Sequence, residues 1–168
     1  VKNNLKNYQL NWSKAHEDRL QIQLGDLNKP LLGLDETEFV NLAKKIDTIL
    51  HGGAWVNFVY PYDNLREANV ESVNTMLRLA VADKLRPIQL HFISTFGVIM
   101  SPGYKGQIIT EDEELSHAEG LLNGYEQSKY VGDKKVWLAM KQRGIPASIY
   151  RPALVTGKSD GSYHKYTE

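Results

Sequence analysis

Gly124-Tyr125-Glu126-Gln127-Ser128-Lys129 opens a helical run that ends near Arg143, and the rest of the 168-residue chain is organised around it. Tyr125 and Lys129 stand four positions apart, which on a helix places both side chains on one face, about one turn or ~6 Å from each other. A free phenol has a pKa of about 10, and a nearby ammonium favours the phenolate and brings proton exchange closer to neutral pH. The pair suits a tyrosine acid that protonates a carbonyl oxygen while hydride arrives at carbon. Spacing alone leaves a surface pair open, because the chain has nine tyrosines and Tyr130 with Lys134 repeats the pattern. Context selects the first pair: it opens its helix just after Gly124, and it follows a strand that ends in two hydroxyls, Ser94-Thr95. Tyr130 and Lys134 are read as a surface pair.

The length suits one domain or part of one, and 42% hydrophobic with 24% charged residues is an ordinary globular composition. Acidic and basic residues balance at 20 each, so no global field attracts nucleic acid or an anionic membrane. No apolar run approaches the ~20 residues of a membrane span and no signal-peptide core opens the chain, which is read as soluble and cytoplasmic. Without cysteine, disulfides and thiolate metal sites are excluded, and the five histidines show no ligand spacing, so no metal is expected.

Along the chain, the first twenty residues read as the end of a helix and a polar connection. Arg19 to Leu24 alternates polar and apolar residues and stops at Gly25-Asp26-Leu27, which predicts a strand delivering Asp26 to a sheet edge; a turn-forming role for Asp26 is the alternative. Asp35-Glu36-Thr37-Glu38 has capping-box form, and a helix is expected from about Thr37 to Lys45. Asp47 to Leu50 reads as a short strand entering His51-Gly52-Gly53-Ala54, whose paired glycines would let a ligand lie against the backbone, or serve only a tight turn. An amphipathic helix is expected over Asn69 to Lys84, and a mostly apolar strand over Gln89 to Ile93. Residues 100–120 lack periodicity and read as an irregular connection that covers the site, with Glu111 to Glu114 a solvated face. The helix from Tyr125 ends at Gly144, and Ala147 to Tyr150 is a last strand running into Arg151-Pro152-Ala153-Leu154-Val155-Thr156-Gly157. Strand alternating with helix predicts an α/β Rossmann-type doubly wound parallel sheet with helices on both faces, its ligands at the carboxyl ends of the strands. Asp26, His51 to Ala54, Ser94 with Thr95, and Arg151 with Pro152 all fall at such ends.

These residues resemble the extended short-chain dehydrogenase/reductases, and within them the thioester reductase branch that includes fatty acyl reductases and the male sterility-like NAD-binding proteins. The likeness covers nearly the whole chain: Gly25-Asp26-Leu27 with Pro30-Leu31-Leu32-Gly33-Leu34, His51 to Ala54, Asn69-Val70, Ser94-Thr95, Gly124 to Lys129, and Arg151 to Gly157. The Gly-Asp-Leu plus Leu-Gly-Leu pairing points to this branch rather than to sugar epimerases. The resemblance implies Thr95, Tyr125 and Lys129 as catalytic residues and NADPH as cofactor. Asp26 and Leu27 would border the adenine, His51, Gly52, Gly53 and Ala54 the ribose and pyrophosphate, and Pro152 and Ala153 the nicotinamide. Lys129 would hold the nicotinamide ribose as well as tune Tyr125, and Ser94 would help orient Thr95. The implied partner is an acyl or peptidyl carrier protein with a phosphopantetheine thioester.

The family's Gly-rich turn and its two flanking strands do not occur in residues 1–168, which are therefore expected to be a partial dinucleotide-binding domain without its first β-α-β unit and its C-terminal substrate portion. The missing strands would lie between the strand ending at Leu24 and the one ending at Leu50. The leading expectation is an NADPH-dependent thioester reductase of the kind found in nonribosomal peptide synthetases. The alternatives are an extended-family epimerase, dehydratase or alcohol dehydrogenase using the same triad, or a non-catalytic dinucleotide-sensing module.

Overall fold

A computed structural model describes residues 2–8, 10–83 and 85–155. The predicted helix end at Lys84 and Thr156-Gly157 of the last motif lie outside these residues. The chain divides into two compact units, Val1–Leu24 with Leu154–Glu168, and Gly25–Ala153. In the first, α1 (Lys2–Asn7) and α2 (Lys14–Glu17) are short, and Trp12 stacks on His16 with ring centroids 5.6 Å apart.

Residues 19–24 form no strand, contrary to the alternation of their side chains, and Ile22 and Leu24 are 79% and 83% exposed. A strand exists only where a neighbour takes up its N–H and C=O groups, and none of the described strands pairs with this segment. Alternation alone therefore does not make it one.

The second unit carries the site. After a tight turn at Pro30–Gly33, α3 (Glu36–Lys45) starts on a reciprocal cap: Asp35 accepts from the Glu38 amide at 2.7 Å, and the Glu38 carboxylate accepts from the Asp35 amide at 3.1 Å. Then come β1 (Thr48–His51), α4 (Tyr62–Arg66), a π-turn at Glu67–Glu71, α5 (Ser72–Ala80), β2 (Gln89–Ile93), α6 (Gly124–Arg143) and β3 (Ala147–Tyr150). The helix expected from Asn69 thus begins earlier, at Tyr62. The π-turn inserts a residue and shifts the helical phase, so Leu65 and Ala68, both buried, fall outside the periodicity that runs from Val70 onward. α6 is capped by Asn123, whose side chain accepts from the Glu126 amide at 2.9 Å, and ends where Gly144 adopts φ 63°.

The sheet is parallel, in the order β1-β2-β3, with His51 opposite Phe92 and Ile93 opposite Tyr150. One face carries Ile49, Leu90 and Phe92 into a core completed by Phe39, Val73, Met76 and Val136 from α3, α5 and α6. Side chains alternate across a strand, so Leu50 and Tyr150 point the other way, where they are 70% and 45% exposed. Among the described residues the helices thus cover the Ile49–Leu90–Phe92 face. At the carboxyl end the pairing of β2 with β3 continues past the strands: the Ser94 amide donates to the Tyr150 carbonyl at 2.7 Å and the Phe96 amide to the Pro152 carbonyl at 2.9 Å. This fixes Ser94-Thr95 beside Arg151-Pro152.

Candidate active site

α6 delivers Tyr125 and Lys129 because its first turn lies directly on the chain before α4. A Cβ on Gly124 would come within 2.4 Å of the Tyr62 amide nitrogen and 2.5 Å of the Tyr60 carbonyl oxygen, so only glycine allows this approach. Tyr125 is half-buried, with the ring of the exposed Phe58 edge-on at 5.3 Å between centroids. Lys129 is buried, 3% exposed; its ammonium donates to the Ile93 carbonyl at the end of β2 at 2.7 Å and lies 4.3 Å from the centroid of the Phe92 ring.

Burial dominates both groups. It raises the Tyr125 phenol above its usual range, and it lowers Lys129 to about 8, with Asp133 opposing that shift. The expected phenolate-favouring influence of Lys129 on Tyr125 is not what the site shows: the ammonium is directed at Ile93 and Phe92, and desolvation raises the phenol.

Tyr130 and Lys134 point elsewhere. The Tyr130 hydroxyl donates to the Leu115 carbonyl, and Lys134 donates to the carbonyls of Glu114 and Leu115. They pin the irregular connection, where Leu115 is 1% exposed and sits at φ 58°, against the helix. They are therefore not merely a surface pair. Nor are the acids of that connection uniformly solvated, since the Glu113 carboxylate accepts from the Tyr104 hydroxyl at 2.9 Å and from the Ser116 amide at 3.1 Å.

Thr95 caps the turn Phe96–Ile99, accepting from the Gly97 amide at 3.2 Å. That turn packs on the start of α6, where a Cβ on Gly97 would meet Glu126 Cγ at 3.1 Å. Ser94 is buried and donates to Asp133 at 2.7 Å, while Pro152 and Ala153 are exposed just beyond β3. A cleft of about 690 Å³ opens at these strand ends, between Ile93, Glu111, Tyr150, Arg151 and Pro152.

His51 ends β1 with its ring buried and its Nε2 at 3.3 Å from the Ser72 hydroxyl; burial, aided by the charge of Lys129, lowers it to about 4. Gly52 and Gly53 are exposed, and a Cβ on Gly53 would meet Leu27 Cδ1 at 2.8 Å. Leu27 therefore lies against the Gly52-Gly53-Ala54 segment. Asp26 stands in a turn rather than at a strand end, its carboxylate accepting from the Asn28 amide at 2.9 Å and side chain at 3.1 Å, which keeps it below the usual carboxylate range. The turn-forming alternative for Asp26 is the geometry observed.

Two residues organise this site that the sequence pattern did not mark for it, Asn69 having stood out only as part of the Asn69-Val70 motif. Asn69, in the π-turn, accepts from the Trp55 amide at 2.7 Å and donates to the Trp55 carbonyl and the Ser128 hydroxyl, each at 3.0 Å. It ties the segment after His51–Ala54 to α6. Asp133 joins Ser94 to Arg151; its spacing of four from Lys129, which places both on one helical face, is the signal that would have found it.

A parallel sheet with a Tyr–Lys helix turn, two hydroxyls and an open glycine pair near the carboxyl ends of its strands defines a Rossmann-type dinucleotide-binding fold. The family model described as male sterility protein, an NAD-binding family, matches residues 1–167, and the chain belongs to it. It is 41% identical over 161 residues to a linear gramicidin synthase polypeptide of Brevibacillus parabrevis, covering 95% of this chain and 3% of that protein. L-2-aminoadipate reductase of Saccharomyces cerevisiae is 33% identical over 159 residues, covering 88% of this chain and 11% of that one. Among solved structures, the terminal R domain of the myxalamid PKS-NRPS biosynthetic pathway superposes with a TM-score of 0.83 at 43% identity, covering 95% of this chain and 39% of that domain. A thiolation-reductase di-domain from an archaeal non-ribosomal peptide synthetase gives a TM-score of 0.65 at 25% identity, over 84% of this chain and 37% of that one. The chain thus spans a small part of its curated relatives and about two fifths of the R domain. No helix among the described residues is long and apolar enough to cross a membrane.

Proposed function

We propose that the chain carries the hydride-transfer site of an NADPH-dependent oxidoreductase that reduces an acyl thioester, borne on the phosphopantetheine arm of a carrier protein, to release an aldehyde or alcohol. The observation that carries this reading is the Tyr125–Lys129 turn at the start of α6, with the buried Lys129 ammonium reaching the Ile93 carbonyl at the end of β2. Reduction needs a phenol that holds its proton until the carbonyl oxygen becomes basic, and burial raises Tyr125 in that sense. A dinucleotide sensor would need the cofactor but no proton donor, so the presence of Thr95, Tyr125 and Lys129 together speaks against it. The thiolation and reductase parts named for the archaeal di-domain, and the reductase named for the yeast relative, support a carrier-bound thioester as substrate.

The residues present fit a dinucleotide. Lys129 uses one of its three N–H groups on Ile93, leaving two for ribose hydroxyls, and Gly52 has only Ile93 Cγ1, at 3.8 Å, near its Cβ position, so its backbone is open to close approach. Leu27 and Asp26 would border the adenine, His51 to Ala54 the ribose and pyrophosphate, and Ser94, Pro152 and Ala153 the nicotinamide end. When bound, the cofactor supplies a hydride to the thioester carbon. Tyr125 gives its proton to the carbonyl oxygen as charge develops, and the Thr95 hydroxyl donates a hydrogen bond to the same oxygen. Hydride and proton together yield a hemithioacetal, which collapses to aldehyde and free thiol. NADPH rather than NADH follows from the resemblance to the thioester reductase branch.

The test is NADPH oxidation by the intact protein with an acyl-carrier thioester, for wild type and Tyr125→Phe. Loss of the phenolic proton should lower turnover at least the ~10²-fold typical of general acid catalysis, with NADPH binding unchanged. Wild-type turnover by Tyr125→Phe would refute the role of Tyr125. Sugar-nucleotide or alcohol turnover without thioester reduction would refute the substrate class.

A further inference from the structure

One buried carboxylate ties the ends of two strands to the catalytic helix. Asp133 is 0% exposed and three bonds converge on it: the Ser94 hydroxyl donates to Oδ2 at 2.7 Å, Arg151 Nε to Oδ2 at 2.9 Å, and an Arg151 terminal nitrogen to Oδ1 at 2.9 Å. Arg151 also donates to the Glu113 carbonyl at 3.2 Å, which brings in the irregular connection. Ser94 immediately precedes Thr95, Arg151 immediately precedes Pro152, and Asp133 lies one helical turn beyond Lys129. A single side chain therefore bonds the residues that precede Thr95 and Pro152 and lies one helical turn from Lys129.

We propose that Asp133 is a positioning residue, whose fork with Arg151 and bond from Ser94 hold the ends of β2 and β3 in register with the turn of α6 that carries Tyr125 and Lys129. This rests on the function proposed above. The Asp133 carboxylate is occupied by Ser94 and Arg151, so it acts through those two residues. The two-bonded guanidinium geometry fixes direction as well as distance, which a lone ammonium or amide would not. The constraint is tight: lengthening the side chain by one methylene, as in Asp133→Glu, displaces the carboxylate by about 1.5 Å. A misplacement of about 1 Å can cost 10²-fold in rate.

Removing the carboxylate alone leaves the part-buried Arg151 guanidinium without its counter-charge, so Asp133→Asn tests stability more than position. The informative variant is Asp133→Asn with Arg151→Met, which removes the buried charge together with its partner. If Asp133 served only to neutralise Arg151, this pair would restore both melting temperature and turnover. Positioning predicts recovered melting temperature, kcat still reduced about 10²-fold and KM little changed. Hydrogen exchange gives a second readout independent of activity: the Ser94 and Phe96 amides, which bond to Tyr150 and Pro152, should exchange at least about tenfold faster, with the Leu90 and Phe92 amides unchanged. Where the pair does not fold, Ser94→Ala leaves the ion pair intact and carries the same exchange test. Wild-type exchange at Ser94 and Phe96 overturns the proposal, as does full turnover by the folded pair variant. Should wild type reduce no thioester, the function above fails while the exchange arm still decides this one.

Discussion

Replacing Gly124 by alanine probes the contact that places Tyr125. The new Cβ would stand 2.4 Å from the Tyr62 nitrogen, 2.5 Å from the Pro61 carbonyl carbon and 2.5 Å from the Tyr60 carbonyl oxygen. All three are backbone atoms, so no rotamer change relieves the overlap; the start of α6 must part from the segment 60–62. Overpacking of this kind costs about 1–3 kcal/mol, and rigid backbone on both sides puts it at the upper end. Against that, alanine gains about 0.5–1 kcal/mol over glycine in a helix. The net is a destabilisation of about 2 kcal/mol, or roughly 4–8 °C in Tm for a chain of this size. Thermal and urea unfolding followed by circular dichroism measure it. The separation also carries Tyr125 away from Phe58, so turnover should fall along with stability. A Gly124→Ala protein as stable as wild type, or more so, would show that helix propensity outweighs the contact and that α6 is not held by this approach.

Two further outcomes follow from the site. His51 is held near 4 against 6.5 for an exposed imidazole, so it is neutral in the native state while the unfolded chain takes up a proton as pH falls. The stability tied to His51 is therefore complete above pH 6.5 and is lost as pH falls towards 4, by about 3 kcal/mol; urea midpoints across that range should fall less steeply in His51→Gln, and equal slopes would refute the assignment. Tyr130→Phe removes only a hydroxyl bonded to the Leu115 carbonyl, which still receives Lys134, so stability should drop by about 1 kcal/mol and turnover should stay at the wild-type level. Loss of turnover in that variant, with Tyr125→Phe active, would reverse the roles given to the two tyrosines.

The sequence by itself determined the elements that local chemistry fixes. The Asp35–Glu38 cap, the apolar run from Gln89 to Ile93, and the helix from Gly124 to a left-handed Gly144 stand where the residues predict them. The parallel order of β1, β2 and β3 followed from strand–helix alternation, because a parallel strand needs a crossover to return. The helix phase before Asn69 was not legible, since an inserted residue at a π-turn breaks the period that a sequence reader counts. Nor was the fate of residues 19–24, because a strand is a property of a pair and its partner is invisible in one segment's own pattern. Context in the chain already set Tyr125 with Lys129 ahead of Tyr130 with Lys134; what tertiary structure added is the distant carbonyl each pair meets, Ile93 for Lys129 and Leu115 for Tyr130. Tertiary structure also decided the sign of the Tyr125 shift, for desolvation depends on what packs around a phenol and not on the lysine four residues away. Asp133 shows the same division: its spacing from Lys129 is written in the chain, while its bonds to Ser94 and Arg151 bridge separations of 39 and 18 residues that only folding closes.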